Sequence, residues 1–113
     1  MRSEGKLDYL ELQSGNGAID SVKAFYSAAF GWSFTDYGAS YAAFDEGLDG
    51  GFDGSAAAEM KPLPVLYSED LEATQKRVEE AGGRVVRPIF DFPGGRRFHF
   101  VDPAGNELAV WSE

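Results

Sequence analysis

The chain has 113 residues, enough for a single domain with one modest core. Ten basic residues against nineteen acidic ones give a formal charge of −9, which disfavours a partner built on a phosphate backbone. There is no cysteine, so disulfides, thiolate nucleophiles and cysteine-held zinc are all excluded.

Leu7 to Gln13 opens the chain as a strand, with Leu10 and Leu12 alternating against Tyr9, Glu11 and Gln13. Ser14 to Gly17 reads as a loop. Ile19, Val22, Phe25, Tyr26, Ala29 and Phe30 then recur every three or four residues, which predicts a helix with one buried stripe. Asp20 or Ser21 would start it and Gly31 would stop it. Trp32–Tyr37 and Ser40–Phe44 read as two strands joined at Gly38. A third, Leu48–Phe52, is weakened by its glycines.

The pattern begins again after Pro62. Leu63–Tyr67 is a strand whose Pro64 points to an exposed start or an edge. Ser68 or Asp70 caps a helix carrying Leu71, Gln75 and Val78 on one side, and Gly82-Gly83 ends it. Three strands follow: Arg84–Phe92, interrupted by Pro88, then Arg96–Val101 and Asn106–Trp111. The turns between them are Pro93-Gly94-Gly95 and Asp102-Pro103-Ala104-Gly105. Each half is therefore strand, helix, strands. Gly54-Ser55-Ala56-Ala57-Ala58 is the nearest thing to a linker. Two such units side by side would leave a concave groove, the usual place for a ligand.

Certain stretches carry a likeness to a known family: Lys23-Ala24-Phe25-Tyr26 with Phe30-Gly31-Trp32, and Phe98 through Asp102-Pro103-Ala104-Gly105-Asn106-Glu107-Leu108. From Leu7 to Trp111 the chain resembles the vicinal oxygen chelate superfamily, the glyoxalase/bleomycin-resistance/dioxygenase group. The resemblance implies an α+β fold of two βαβββ modules forming a U-shaped, eight-stranded mixed sheet, with helices on the outer face. Residues 1–113 would form one such domain, with module one at about residues 6–54 and module two at about 62–112. It also implies a homodimer.

Members of that family hold Mn, Fe, Ni, Zn or Co with His and Glu side chains, or bind bulky organic molecules without metal. The resemblance puts the ligand positions at Tyr9, near Leu63 or Val65, and at Ala109. A phenol, an aliphatic chain and a methyl group are no substitute for two imidazoles and a carboxylate. No metal and no other cofactor is expected.

His99 is the only histidine. Alternation puts Phe98 and Phe100 on the helix side of their strand, and Arg97 and His99 on the other. His99 can serve as a general acid/base or as a ligand's hydrogen-bond partner, or be an ordinary structural histidine. Arg96 and Arg97 can grip an anion or pair with surface acids. Glu11 shares a face with Tyr9, and a carboxylate desolvated there would be a proton acceptor. Tyr9, Tyr67 and Trp111 have the parity of aromatic groove walls, or of ordinary packing. Glu107 reads as solvated near its hairpin, and Asp102 as the shaper of the turn it opens.

The catalytic candidates are thus Glu11, His99 and Tyr9; the ligand-binding candidates are Tyr9, Glu11, Tyr67, Arg97, His99 and Trp111. The expected function is metal-independent binding of a small aromatic or amphipathic organic molecule, serving sequestration or resistance. The overall acidity fits a cationic ligand. A glyoxalase-group lyase or isomerase, cofactor-free or with a remodelled metal site, is the enzymatic alternative, and a non-catalytic structural or regulatory dimer is the third. With no spanning or signal-type apolar run, the expected location is the cytoplasm, with no membrane or nucleic-acid partner.

Overall fold

Eight strands and two helices give an α+β fold in the computed structural model, which describes residues 2–15, 18–55 and 61–113. In chain order they are β1 (Leu7–Gln13), α1 (Ile19–Phe30), β2 (Thr35–Asp36), β3 (Tyr41–Asp45), β4 (Asp49–Asp53), β5 (Leu63–Tyr67), α2 (Leu71–Glu80), β6 (Arg84–Phe92), β7 (Gly95–Val101) and β8 (Glu107–Ser112). They divide into two compact units. Tyr9–Pro62 forms the N-terminal unit, and Leu63–Glu113 with Met1–Asp8 forms the C-terminal unit. Asn16 and Gly17 of the expected loop, and Ala56, Ala57 and Ala58 of the expected linker, lie outside the described residues.

The duplication seen in the sequence is a duplication of topology. In the N-terminal unit the strand order is β2-β3-β4-β1, with β1 parallel to β4 and the other neighbours antiparallel. In the C-terminal unit it is β6-β7-β8-β5, with β5 parallel to β8. A strand pairing in parallel needs a long crossover, and the helix and following strands supply it in both units.

In the N-terminal unit α1 stops where the sequence predicts. Gly31 adopts φ 74° and its N–H reaches the Ser27 carbonyl at 3.0 Å, a left-handed cap that glycine takes without penalty. The helix starts at Ile19, after Ala18 and ahead of both expected caps, with no side-chain cap bond. Its stripe is not buried: Phe25 is 58% and Phe30 is 66% exposed. Only Ile19, Val22 and Tyr26 of the stripe are half-buried. Tyr26 joins Trp32, Phe34, Phe44 and Phe52 in an aromatic cluster, with the Tyr26 and Trp32 rings stacked 4.7 Å apart.

The β4 strand exists because of its glycines, not despite them. A Cβ on Gly50 would lie 2.4 Å from the Leu10 carbonyl oxygen and 2.5 Å from the Phe44 ring. The missing side chains let Phe44 and Tyr41 lie across the strand. The expected strand over Trp32–Tyr37 contracts to the two residues of β2.

In the C-terminal unit Asp70 caps α2, accepting from the Ala73 N–H at 3.1 Å. Ser68 supports it by accepting from the Asp70 N–H at 3.2 Å. Leu71 of α2 packs with Phe98 and Val110 as the buried centre of this unit, and Phe98 is 0% exposed. The strand β5 is not an edge, contrary to the reading of Pro64. β8 flanks it along one side, and the backbones of Gly5 and Lys6 bond both polar groups of Tyr67. Within its unit β6 holds the outer place, where a proline lacking an N–H costs least. The ladder between β6 and β7 shifts register on both sides of Arg87, so a bulged segment contains Pro88.

Candidate functional site

The face of the C-terminal sheet opposite α2 is laid out in rows by strand register. One row runs Tyr67, Trp111, Arg97, Phe90 across β5, β8, β7 and β6. The next runs Val65, Ala109, His99, Arg87. Because Phe98 goes into the core, its neighbours Arg97 and His99 are on the other face, as alternation predicts.

Alternation alone would have separated Arg87 from Phe90, which are three residues apart. The register shift around Pro88 reunites them, and the Arg87 guanidinium stands over the Phe90 ring at 3.7 Å from its centroid. The Arg97 guanidinium lies 5.5 Å from the Phe90 ring and 5.6 Å from the Phe92 ring. Two cations therefore share one aromatic platform.

His99 lies beside that platform, 6% exposed, with its ring 5.8 Å from Phe90. Its Nδ1 is 2.9 Å from Oε2 of Glu107, on the neighbouring strand one diagonal step away. Glu107 is therefore not merely a solvated hairpin residue; it is 42% exposed and it holds the imidazole. Burial pushes the His99 pKa below the ordinary 6.5. The Glu107 hydrogen bond opposes that, and the Arg97 and Arg87 charges add to it. The net direction favours the neutral imidazole. Its Nε2 is buried with no hydrogen-bond partner among the described residues.

The other sequence candidates are distributed between the units. Tyr67 and Trp111 meet edge to face at 5.5 Å on the same C-terminal sheet. The Trp111 indole N–H donates to Asp8 Oδ2 at 3.0 Å, and Arg2 covers its ring at 4.7 Å. Tyr9 and Glu11 belong to the N-terminal unit. There the Tyr9 and Tyr41 hydroxyls are 2.5 Å apart, and burial raises the Tyr9 pKa although the Tyr41 bond offsets part of the rise. Glu11 is buried on β1 opposite Gly51. Arg96 is engaged elsewhere, in a two-pronged pair with Glu72 at 2.6 and 3.2 Å. Asp102 does shape its turn, accepting from the Ala104 and Asn106 N–H groups at 2.8 and 2.9 Å.

Sequence reading missed Arg87 and Phe90 as neighbours of His99, and grouped Glu107 with His99 only as part of an unconventional metal site with Glu11. Pro88 inside a strand was the available signal for the first two, since a bulge resets the parity of everything before it. For Glu107, the signal was the short hairpin that brings its strand back beside His99.

The positions where the resemblance puts metal ligands do not fit a divalent cation. Val65 and Ala109 pair across β5 and β8 as buried aliphatic side chains, Leu63 is likewise buried, and Tyr9 is a phenol engaged with Tyr41. None of the three aliphatic groups has a donor atom. No cluster of three His, Cys, Asp or Glu side chains occurs among the described residues.

Residues 6–110 match the family described as Glyoxalase/Bleomycin resistance protein/Dioxygenase superfamily. The chain belongs to that superfamily. Among the relatives that reach 30% identity or more, two differ in length. One is the anthracycline biosynthesis protein DnrV of Streptomyces peucetius, 33% identical over 86% of this chain and 44% of its own length. The other is an uncharacterized protein of Mycolicibacterium smegmatis (strain ATCC 700084 / mc(2)155), 30% identical over 82% of both chains. The chain spans less than half the length of the first curated relatives it matches. Among solved structures, methylmalonyl-CoA epimerase from Mycobacterium tuberculosis superposes with a TM-score of 0.74, covering 99% of this chain and 90% of the epimerase. At 12% identity that likeness shows the glyoxalase-superfamily fold alone. Among the described residues no helix is long and apolar enough to cross a membrane.

Proposed function

We propose that this superfamily member binds a small, planar or amphipathic organic molecule without a metal, on the C-terminal sheet face bearing Arg87, Phe90, Arg97 and His99. The reading includes a sequestering role in the cytoplasm, and a homodimer supported by the exposed Phe25 and Phe30 of α1. The observation that carries the binding site is the shared platform: two guanidiniums on one phenyl ring beside a buried neutral imidazole. Flat rings, fixed cations and one unmatched acceptor favour a flat ligand with polar substituents.

The local charge revises the ligand's sign. Although the chain carries −9 overall, this face presents Arg87 and Arg97, which favours a neutral or anionic ligand over a cationic one. The relative named for anthracycline biosynthesis is in keeping with an aromatic ligand.

A thermal-shift screen of aromatic acids, phenols and aromatic amines tests this. A ligand at a hundred times its dissociation constant stabilises by about 2.7 kcal/mol, an upward shift of several degrees for a chain this size. The expected hits are acids and phenols, with the shift lost in Phe90→Ala. Hits confined to amines, or none at millimolar concentration, would reject the reading. A second reading, a cofactor-free lyase or isomerase, is favoured by one observation, the imidazole–carboxylate contact of His99 and Glu107.

A further inference from the structure

The His99–Glu107 contact fixes which nitrogen is free. A carboxylate oxygen accepts, so Nδ1 carries the hydrogen and Nε2 keeps its lone pair. That lone pair is buried and unmatched among the described residues, a state that protein interiors rarely leave unexplained. Three charged groups face the ring: Arg87 from β6, Arg97 from its own strand β7, and Glu107 from β8. The arginines resist a positive charge on the ring, whereas Glu107 stabilises it.

We propose that His99 and Glu107 form a proton-accepting pair, with Nε2 taking the acidic hydroxyl hydrogen of a phenol or enol bound on the Phe90 platform. The transfer is balanced: the O–H bond breaks, its electron pair stays on oxygen, and an N–H bond forms at Nε2. The resulting imidazolium is compensated by Glu107, and the phenolate or enolate by Arg87 and Arg97. An amine or ether ligand offers no such acidic hydrogen. Solvent does not reach Nε2, so the ligand's hydroxyl meets it only by displacing a covering side chain.

The inference rests on the ligand reading above, and the test separates the two. Because the chain has one histidine, ¹⁵N-histidine labelling gives signals from His99 alone. The free protein is expected to show the Nδ1–H tautomer with a pyridine-type Nε2. Adding 4-nitrophenol should move Nε2 towards the protonated form and raise the phenolate absorbance. The ether 4-nitroanisole should bind without either change. Glu107→Gln, at a part-exposed side chain, should lower the bound phenol's ionisation constant about tenfold, one pK unit. His99→Phe should abolish ionisation of the phenol, with circular dichroism reporting that the variant is folded.

An Nε2–H tautomer, or unchanged ionisation in Glu107→Gln, overturns the proton-accepting pair while leaving ligand binding standing. Failure of both probes to bind, with the Nδ1–H tautomer in place, rejects the ligand reading and the proposal with it.

Discussion

The two units share one strand order but use it differently. In the C-terminal unit, α2 is capped by Asp70 and docks Leu71 against Phe98 and Val110. In the N-terminal unit, α1 has no side-chain cap and buries none of its residues completely, while aromatic rings provide the packing. The polar chemistry differs too. A phenol pair and a buried carboxylate lie in the first unit, whereas two arginines and an imidazole–carboxylate contact lie in the second. Duplicated topology therefore fixes neither the packing nor the chemistry of each copy. Once two copies exist, one can lose helix burial or polar groups that the other keeps.

The largest expected contrast is in the cores. Phe98→Ala should destabilise by about 3–5 kcal/mol, because a fully buried ring leaves a cavity. Phe30→Ala on the exposed side of α1 should stay within about 0.5 kcal/mol in the monomer. Urea denaturation measures both, and similar losses would show that α1 is buried as deeply as the C-terminal core. Next comes Gly50→Ala, expected to cost about 1–3 kcal/mol because its new methyl would meet backbone at Leu10. A variant as stable as the parent would mean that β4 and β1 can part without penalty.

The smallest effect is the pH response of His99. Its folded pKa lies below the ordinary 6.5, so the unfolded chain takes up a proton first as pH falls. The stability from burying neutral His99 is complete above the ordinary value and declines as pH drops through it towards the lowered one. Melting temperatures measured from about pH 7.5 to about 5.5 should fall more steeply for the parent than for His99→Gln. Parallel declines would remove the case for a desolvated imidazole.

Much of the fold was legible because hydrophobic period and turn chemistry agree along most of the chain. The Leu10/Leu12 alternation, the Gly31 stop, the Asp70 cap of α2 and the Asp102 turn each say locally what the fold does globally. The burial of α1 was not legible, since a helical stripe of Phe25 and Phe30 looks the same whether or not anything covers it. Glycines in β4 were misleading for another reason: only the rings of Tyr41 and Phe44 explain them. At the candidate site, parity placed Arg97 and His99 on one face correctly. It could not place Arg87 and Phe90, because a bulge is a change of count that only the partner strand reveals.

The first strand changes allegiance between Asp8 and Tyr9, and that constrains how the duplication can be dissected. Cutting the gene before Leu63, where the repeat starts anew, would strip the second half of the backbone that zips onto Tyr67 and of the carboxylate that receives the Trp111 indole. A self-standing second half would need residues 2–8 grafted back as an added segment. The sequence repeat and the compact unit thus have different borders.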